Sequence, residues 1–153
     1  IRRAANLDLG FACVGGRREM GTYIDALKAA GKDPARYSLV NSRVVYLADS
    51  EEQAWRDTSE ALLYQAEHYA RWLSAAAGTD PSRAMIRPDP DRLKRTSILG
   101  PPDYVRARIS EIVNDTPMTE LVMVTQLPGL DPAKAYRSLE RFGTEVLPSL
   151  KVE

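Results

Sequence analysis

The stretch VVYLADSEEQAW, residues 44–55, holds the strongest structural signal in the sequence. Its first five residues, Val44 to Ala48, are apolar and rich in strand-forming types. An unbroken run of this kind is typical of a strand that is buried on both faces, as in a parallel sheet. Ser50 and Gln53 then form a capping box, and the two glutamates between them suit the first turn of a helix. The stretch therefore predicts a buried strand that passes directly into a helix.

The helix that this junction begins is expected to end at Gly78. Its predicted buried face follows helical spacing and comprises Ala54, Thr58, Ala61, Leu62, Gln65, Tyr69, Trp72, Leu73 and Ala76. The aromatic residues Tyr64, Tyr69 and Trp72 are interpreted as core rather than as a stacking platform. His68, the only histidine, is interpreted as a hydrogen-bonded helical residue, because it has no cysteine or carboxylate at ligand spacing for a metal site.

Strands and helices alternate along the rest of the chain. The predicted strands are 9–14, 37–48 and 119–126, and the predicted helices are the end of one at 1–7 and then 18–30, 50–77, 102–114 and 132–147. This alternation favours a parallel sheet of right-handed βαβ units. Three strands do not close a barrel, and an open sheet exposes apolar edges. We therefore expect missing N-terminal chain or a partner to cover them.

Composition and charge exclude several classes of protein. The 153 residues suit one domain, with 44% hydrophobic and 27% charged residues. Lys plus Arg and Asp plus Glu both number 21, so the charge gives no support for nucleic-acid binding. No apolar run approaches the roughly 20 residues of a membrane helix, and no signal peptide is visible. Because Cys13 is the single cysteine, a reducing cytoplasm is expected. The start at Ile1, within a helix-like segment, favours a truncated or partly resolved protein.

Five segments together resemble the luciferase-like monooxygenases. They are RRAANLDLGF (2–11), ALKAAGKDPARYSL (26–39), VVYLADSEEQAW (44–55), SILGPPDYVRARI (97–109) and LVMVTQLPGLDPAKAYRSLERFGTEVLPSLK (121–151). Their order and spacing extend over nearly the whole chain. The family fold is an α/β barrel of eight strands. The resemblance thus implies that residues 1–153 are the C-terminal part of a single (β/α)8 barrel domain, with about three parallel strands and flanking helices.

The resemblance also implies a function. Members use FMN or the reduced deazaflavin coenzyme, so we expect a flavin- or deazaflavin-dependent oxidoreductase or monooxygenase that acts on a small organic substrate, as a homodimer. The phosphate-binding and most catalytic groups are expected upstream of residue 1, so the catalytic residues are unknown. Leu9 separates Asp8 from Gly10, and Phe11 replaces the usual Trp, which leaves the type of cofactor open. The alternatives are a non-catalytic flavin-binding protein and an α/β interaction module.

The active site of such a barrel lies at the carboxyl ends of its strands. That geometry selects three segments, 12–16, 46–49 and 125–128. Within them Cys13, Gly15 and Gln126 are predicted to face cofactor or substrate. Each has a structural alternative. Cys13 suits a small buried position, Gly15 and Gly16 suit a turn because GxGxxG is absent, and Gln126 suits hydrogen bonding to backbone at the strand end.

The segment 79–97 is predicted to be a long loop, because three prolines stand among many charged residues. Long loops of this kind are often functional. Its short basic run, Arg92, Lys94 and Arg95, is interpreted as a solvated part of the loop. The alternative hypothesis is that the loop folds over the barrel mouth and helps to hold an anionic cofactor tail.

Overall fold

The computed structural model describes residues 1–14, 16–80 and 88–150. In chain order the elements are α1 (Arg2–Asn6), β1 (Phe11–Cys13), α2 (Arg17–Ala29), β2 (Leu39–Leu47), α3 (Glu51–Ala77), α4 (Pro90–Thr96), β3 (Ile98–Gly100), α5 (Pro102–Asp115), β4 (Glu120–Val124) and α6 (Pro132–Arg141). A short 3-10 helix, Pro34–Arg36, precedes β2, and π-helical and 3-10 turns follow α6. The chain divides into two compact units: residues 1–43 with 107–124, and residues 44–106 with those from 125 onward.

The first unit contains β1, the first half of β2, and β4. β1 runs parallel to β2, with Phe11 opposite Leu39 and Cys13 opposite Asn41. β4 also pairs with β2. The core of this unit lies between the strands and α2, and it comprises Ala5, Met20, Tyr23, Leu27 and Leu39. The apolar residues of α2 thus cover the strands, as the helical spacing in the sequence predicts.

A polar network holds the turn between α1 and β1. Asp8 has a left-handed backbone, with φ of 57°, which a short polar side chain tolerates. Its carboxylate accepts a hydrogen bond of 2.6 Å from the Tyr37 hydroxyl and lies 2.8 Å from the Lys32 ammonium. The hydrogen bond from Lys32 is the main cause that lowers the pKa of Asp8. Lys32 also donates to the Ala5 carbonyl at 2.6 Å, so one side chain ties α1 to the turn.

The second unit begins with the latter half of β2 and continues into α3. β3 runs parallel to this half, with Val45 opposite Ile98 and Leu47 opposite Gly100. The Ser50 hydroxyl accepts a hydrogen bond of 3.1 Å from the backbone N–H of Gln53, which caps α3. The helix ends at a left-handed glycine, residue 78. The predicted junction of strand and capped helix is therefore confirmed.

The parallel α/β class is confirmed, but two predictions for residues 79–100 are wrong. The described chain has four strands rather than three, and the missed one is Ile98–Gly100. Three residues are too few to show a periodicity, and β3 is identifiable only by its burial against β2. The second error is the long irregular loop, because Pro90–Thr96 is helical, with Asp89 accepting from Arg92 N–H at its N-cap. Residues 81–87 of the predicted loop lie outside the described residues.

The buried face of α3 also differs from the prediction in its second half. The buried residues are Ala54, Thr58, Ala61, Leu62, Ala66, Ala70 and Ser74. From residue 54 to residue 74 they follow a four-residue spacing, so the packed line consists mostly of small side chains. Tyr64, Tyr69 and Trp72 are 52%, 43% and 64% exposed, and their interpretation as core residues is wrong. Aromatic size suggested burial, whereas packing selected the ridge formed by every fourth residue.

Candidate functional site

Cys13 ends β1 in the first unit and is partly buried. Its side chain packs against the core between the strands and α2. The next predicted site residue, Gly15, lies outside the described residues. Gly16 begins α2, and its backbone N–H donates to the Glu19 carboxylate at 3.0 Å. Gly16 therefore serves as a helix start, whereas Cys13 lies at the carboxyl end of a parallel strand, where the predicted site should be.

Arg43 is a candidate site residue that the sequence reasoning missed. Its guanidinium donates hydrogen bonds of 2.9 Å to the carbonyls of Val14 and Ser42, which places it against the segment that follows β1. Burial is the main cause that lowers the pKa of Arg43, and the nearby Arg108 guanidinium adds to the effect. A partly buried cation beside the end of β1 is suited to pairing with a phosphate or carboxylate. One arginine inside a strand gives no sequence signal of such a role.

The predicted segment 46–49, at the end of β2, includes a tyrosine that packs against α3. Tyr46 is buried, and its hydroxyl donates to the Asp57 carboxylate at 3.2 Å. The Lys134 ammonium donates to the same carboxylate at 2.5 Å. Burial, followed by the charge of Asp57, raises the pKa of Tyr46 to about 12. Tyr46 therefore keeps its proton at neutral pH, and its hydroxyl ties β2 to α3 through Asp57.

Gln126 belongs to the second unit and is exposed. Its amide nitrogen donates hydrogen bonds of 3.1 Å to the carbonyls of Leu127 and Leu130. These bonds span a tight turn at Gly129, whose φ is 84°. Gln126 thus holds the turn before α6 through hydrogen bonds to backbone carbonyls, as its structural interpretation expects. Its orientation toward a cofactor stays a prediction.

Two further predicted features acquire defined contacts. The ring nitrogen Nδ1 of His68 lies 2.9 Å from the Tyr64 carbonyl, which confirms a hydrogen-bonded helical histidine. Within residues 1–14, 16–80 and 88–150, no three His, Cys, Asp or Glu side chains form a group that could hold a metal ion.

In the basic run, the Lys94 ammonium lies 4.8 Å from the centre of the Trp55 ring. The hypothesis that this run holds an anionic tail stays a prediction.

Surface cavities occur on the second unit. One, of about 320 Å³, is lined by Glu60, Ala61, Tyr64, Pro128 and Gly129. Another, of about 310 Å³, is lined by Glu51, Glu52, Trp55, Lys94, Leu99 and Tyr104. Sequence reasoning could not find them, because each combines residues that only the packing of separate elements brings together.

A sequence profile of the luciferase-like monooxygenase family matches residues 1–120, which is well over half of the chain. The chain belongs to this family. The resemblance stated from the sequence segments is therefore confirmed. No protein with a curated description matches the chain in sequence. None of the described helices combines the length and the apolar character that crossing a bilayer would require.

Solved structures support the same fold. Monooxygenase RslO1 from Streptomyces bottropensis is 24% identical, with a TM-score of 0.64 over 96% of this chain and 44% of its own. The oxygenating constituent of 3,6-diketocamphane monooxygenase from Pseudomonas putida, in complex with FMN, is 24% identical, with a TM-score of 0.65 over 99% of this chain and 46% of its own. The coenzyme F420-dependent tetrahydromethanopterin reductase from Methanopyrus kandleri is 19% identical, with a TM-score of 0.53 over 86% and 41%.

This luciferase-like chain therefore spans less than half the length of each of these structures. The identities are low enough that the likeness shows the fold alone. The chain has parallel strands with flanking helices, and it aligns with under half of the matched chain. Both observations are expected of a partial α/β barrel. The predicted fold class is confirmed at this level.

Proposed function

We propose that the chain is part of a flavin- or deazaflavin-dependent monooxygenase that acts on a small organic substrate. Membership of the luciferase-like family supports the reaction class. The similar structures include one in complex with FMN and one named for dependence on coenzyme F420, which supports FMN or the reduced deazaflavin coenzyme here. The observation within the chain that carries the proposal is the partly buried Arg43 guanidinium beside the end of β1.

The residues at the end of β1 fit an anionic cofactor or an anionic substrate group. Arg43 would pair with a phosphate or carboxylate, and its two carbonyl contacts would hold the guanidinium in place. Cys13 would line the site with a small side chain, and the role of Gly15 stays a prediction. Gln126 lies in the second unit, and its role toward a cofactor stays a prediction. When bound, the flavin or deazaflavin would supply the redox chemistry, while these residues bind, orient and exclude water.

The test uses the purified protein that contains this chain. We expect denaturation to release a compound with a flavin or deazaflavin absorption spectrum. Arg43→Met is expected to weaken binding of the cofactor or of an anionic substrate by roughly ten- to a hundredfold, the usual range for one charged hydrogen bond. Arg43→Lys should restore part of it. Arg18, which is exposed on α2, provides the matched control Arg18→Met. Equal affinities in all four proteins would contradict the assignment of Arg43.

The same protein is proposed to be a homodimer. The supporting observation is the exposed apolar surface of the first unit, where Leu9 and Val14 are more than half exposed. Light scattering of the purified protein should give twice the mass of one chain. A dimer that binds no flavin, and that shows no redox activity with FMN or a deazaflavin, would instead favour the alternative of an α/β interaction module.

A further inference from the structure

The cavity of about 310 Å³ on the second unit has a composition suited to ligand binding. It is lined by Glu51, Glu52, Trp55, Lys94, Leu99 and Tyr104. The walls thus carry two aromatic rings, two carboxylates and one ammonium group. The volume lies near the lower end of the range for small-molecule sites. We call this space the Trp55 cavity.

Packing fixes the walls of the Trp55 cavity. A Cβ atom at Gly100 would lie 2.9 Å from the Tyr104 ring and 3.1 Å from Cγ of Glu51, so both side chains rest against bare backbone. Leu99 is buried beneath them in β3. The Ser50 cap holds the first turn of α3, which carries both glutamates, and Trp55 follows at the start of the next turn. The cavity therefore lies at the junction of four elements, α3, α4, β3 and α5.

The Trp55 ring already contacts a cation. The Lys94 ammonium lies 4.8 Å from the ring centre, within the range of a cation–π interaction. In the part of the chain that the structure describes, none of the ion pairs includes Lys94, Glu51 or Glu52. Two carboxylates and one ammonium line the cavity, which favours a positively charged ligand. Ser50 hydrogen-bonds to Glu52, and Arg56 adds a positive charge near that carboxylate.

We propose that the Trp55 cavity binds a small organic cation, such as an alkylammonium ion. The cation would replace the Lys94 ammonium over the Trp55 ring, and Glu51 and Glu52 would balance its charge. Displacement of Lys94 costs little free energy, because this side chain is exposed on the seven-residue helix α4. Its ammonium group can move from the Trp55 ring into solvent and stay hydrated. The proposal does not depend on the redox cofactor.

Tryptophan fluorescence provides the first test. The 153-residue chain has two tryptophans, so Trp72→Phe in this chain leaves Trp55 as its only tryptophan reporter. Choline and its neutral isostere 3,3-dimethylbutan-1-ol are titrated at constant ionic strength. We expect choline to change the Trp55 emission saturably, with at least tenfold tighter binding than the isostere. Equal affinities, or no saturable change with choline, would overturn the proposal.

Variants of α4 separate competition by Lys94 from a change in net charge. Lys94→Ala removes the resident cation and is expected to tighten choline binding at least threefold. Arg95→Ala removes the same charge from the next position, which does not line the cavity, and should leave the affinity unchanged. Equal effects of the two variants, or weaker binding in Lys94→Ala, would overturn the proposal.

Variants of the walls test the contacts themselves. Glu52→Gln is expected to weaken choline binding several-fold, and Trp55→Leu to abolish it when measured by calorimetry. Circular dichroism checks that each variant is folded. If Trp55→Leu fails to fold, the comparison of Lys94→Ala with Arg95→Ala still decides the question, because neither residue is buried. Unchanged binding in a folded Trp55→Leu variant would contradict the site.

Discussion

Gly100 is required by the space around it rather than by its backbone conformation. A Cβ atom would come within 3.1 Å of both Tyr104 and Glu51. Gly100→Ala is therefore expected to lower the free energy of unfolding by about 1–3 kcal/mol, the usual cost of overpacking. Urea denaturation measures the change.

Gly21 provides the opposite case within the same chain. It lies inside α2, and no atom stands within 4 Å of the position of its missing Cβ. Gly21→Ala should raise the free energy of unfolding by about 0.5–1 kcal/mol, because alanine loses less backbone freedom in a helix. If Gly100→Ala also raised the free energy of unfolding, the packing described around Gly100 would be wrong.

Tyr46 makes stability depend on pH in the alkaline range. Its pKa is about 12 in the folded chain, against 10.0 for an unperturbed tyrosine. Between these values the unfolded state releases the proton and the folded state keeps it, so the free energy of unfolding falls as pH rises. Below about pH 10 the contribution is complete. We expect Tyr46→Phe to flatten this decline in denaturation curves taken from pH 9 to pH 11.

The matched control is Tyr136→Phe, because Tyr136 is largely exposed. Its removal should leave the alkaline slope as in the parent chain, where other tyrosines also contribute. Tyr23 and Tyr37 have raised pKa values as well. A slope that Tyr46→Phe leaves unchanged would show that the Tyr46 hydroxyl is not buried beside Asp57 in solution.

The candidate site illustrates which residues the sequence can indicate. Cys13 is predicted from its position at a strand end, an argument that needs only the element order, and the structure places it at the end of β1. Arg43 was missed, because its role comes from the carbonyls of Val14 and Ser42, and the contact with Val14 joins residues 29 positions apart. The Trp55 cavity was missed for the same reason, because the sequence predicts a loop over residues 79–97, where α4 lies in the structure. Contacts between distant segments leave no local pattern.

At the level of elements, α3 tests which face of a helix is buried. The buried line runs through Ala66 and Ala70, whereas Trp72 is exposed. Ala70→Leu is expected to lower the free energy of unfolding by about 1–3 kcal/mol, because three additional carbons must enter a filled space. Trp72→Ala should change it by no more than about 0.5 kcal/mol, as is usual for surface substitutions. Thermal denaturation compares the two variants. A larger loss of stability in Trp72→Ala than in Ala70→Leu would support the buried aromatic face that the sequence predicts.

Elements with chemical markers at their ends were predictable. Ser50 and Gly78 bound α3, and Asp131 with Pro132 begins α6, as the sequence predicts. Asp89 with Pro90 carries the same type of marker at α4, but the surrounding prolines and charges concealed it. β3 has no such marker, and its three residues become a strand only by pairing with β2.

For the molecule as a whole, the family assignment could be made from the order of several weak segments. Each segment marks a junction of strand and helix, and a barrel repeats such junctions in a fixed order. The sequence also predicts that the chain is only part of a barrel, with about three of its eight strands. In agreement, the chain covers under half of the matched structures. Substrate and catalytic groups could not be predicted, because fold does not determine function.

The exposed apolar residues of the first unit are expected to make the 153-residue chain associate when it is expressed alone. Val122 on β4 is 46% exposed, and Val113 on α5 is 48% exposed. Exposed apolar strands are prone to association, which a charge prevents. Val122→Lys should therefore reduce both the mass seen by light scattering and the binding of a hydrophobic dye. Val113→Lys, at a helical site of equal exposure, should change them little. A monomeric parent chain that binds no dye would contradict this expectation.

The network around Asp8 has an evolutionary consequence. A left-handed backbone with two bonded neighbours admits few replacements: asparagine would keep the backbone and the bond from Tyr37, but it would leave the Lys32 charge uncompensated. Substitutions at positions 8 and 32 should therefore be inherited together across related sequences, while position 37 retains a hydroxyl. These three sites would then diverge as a group, at a rate set by the least replaceable of them.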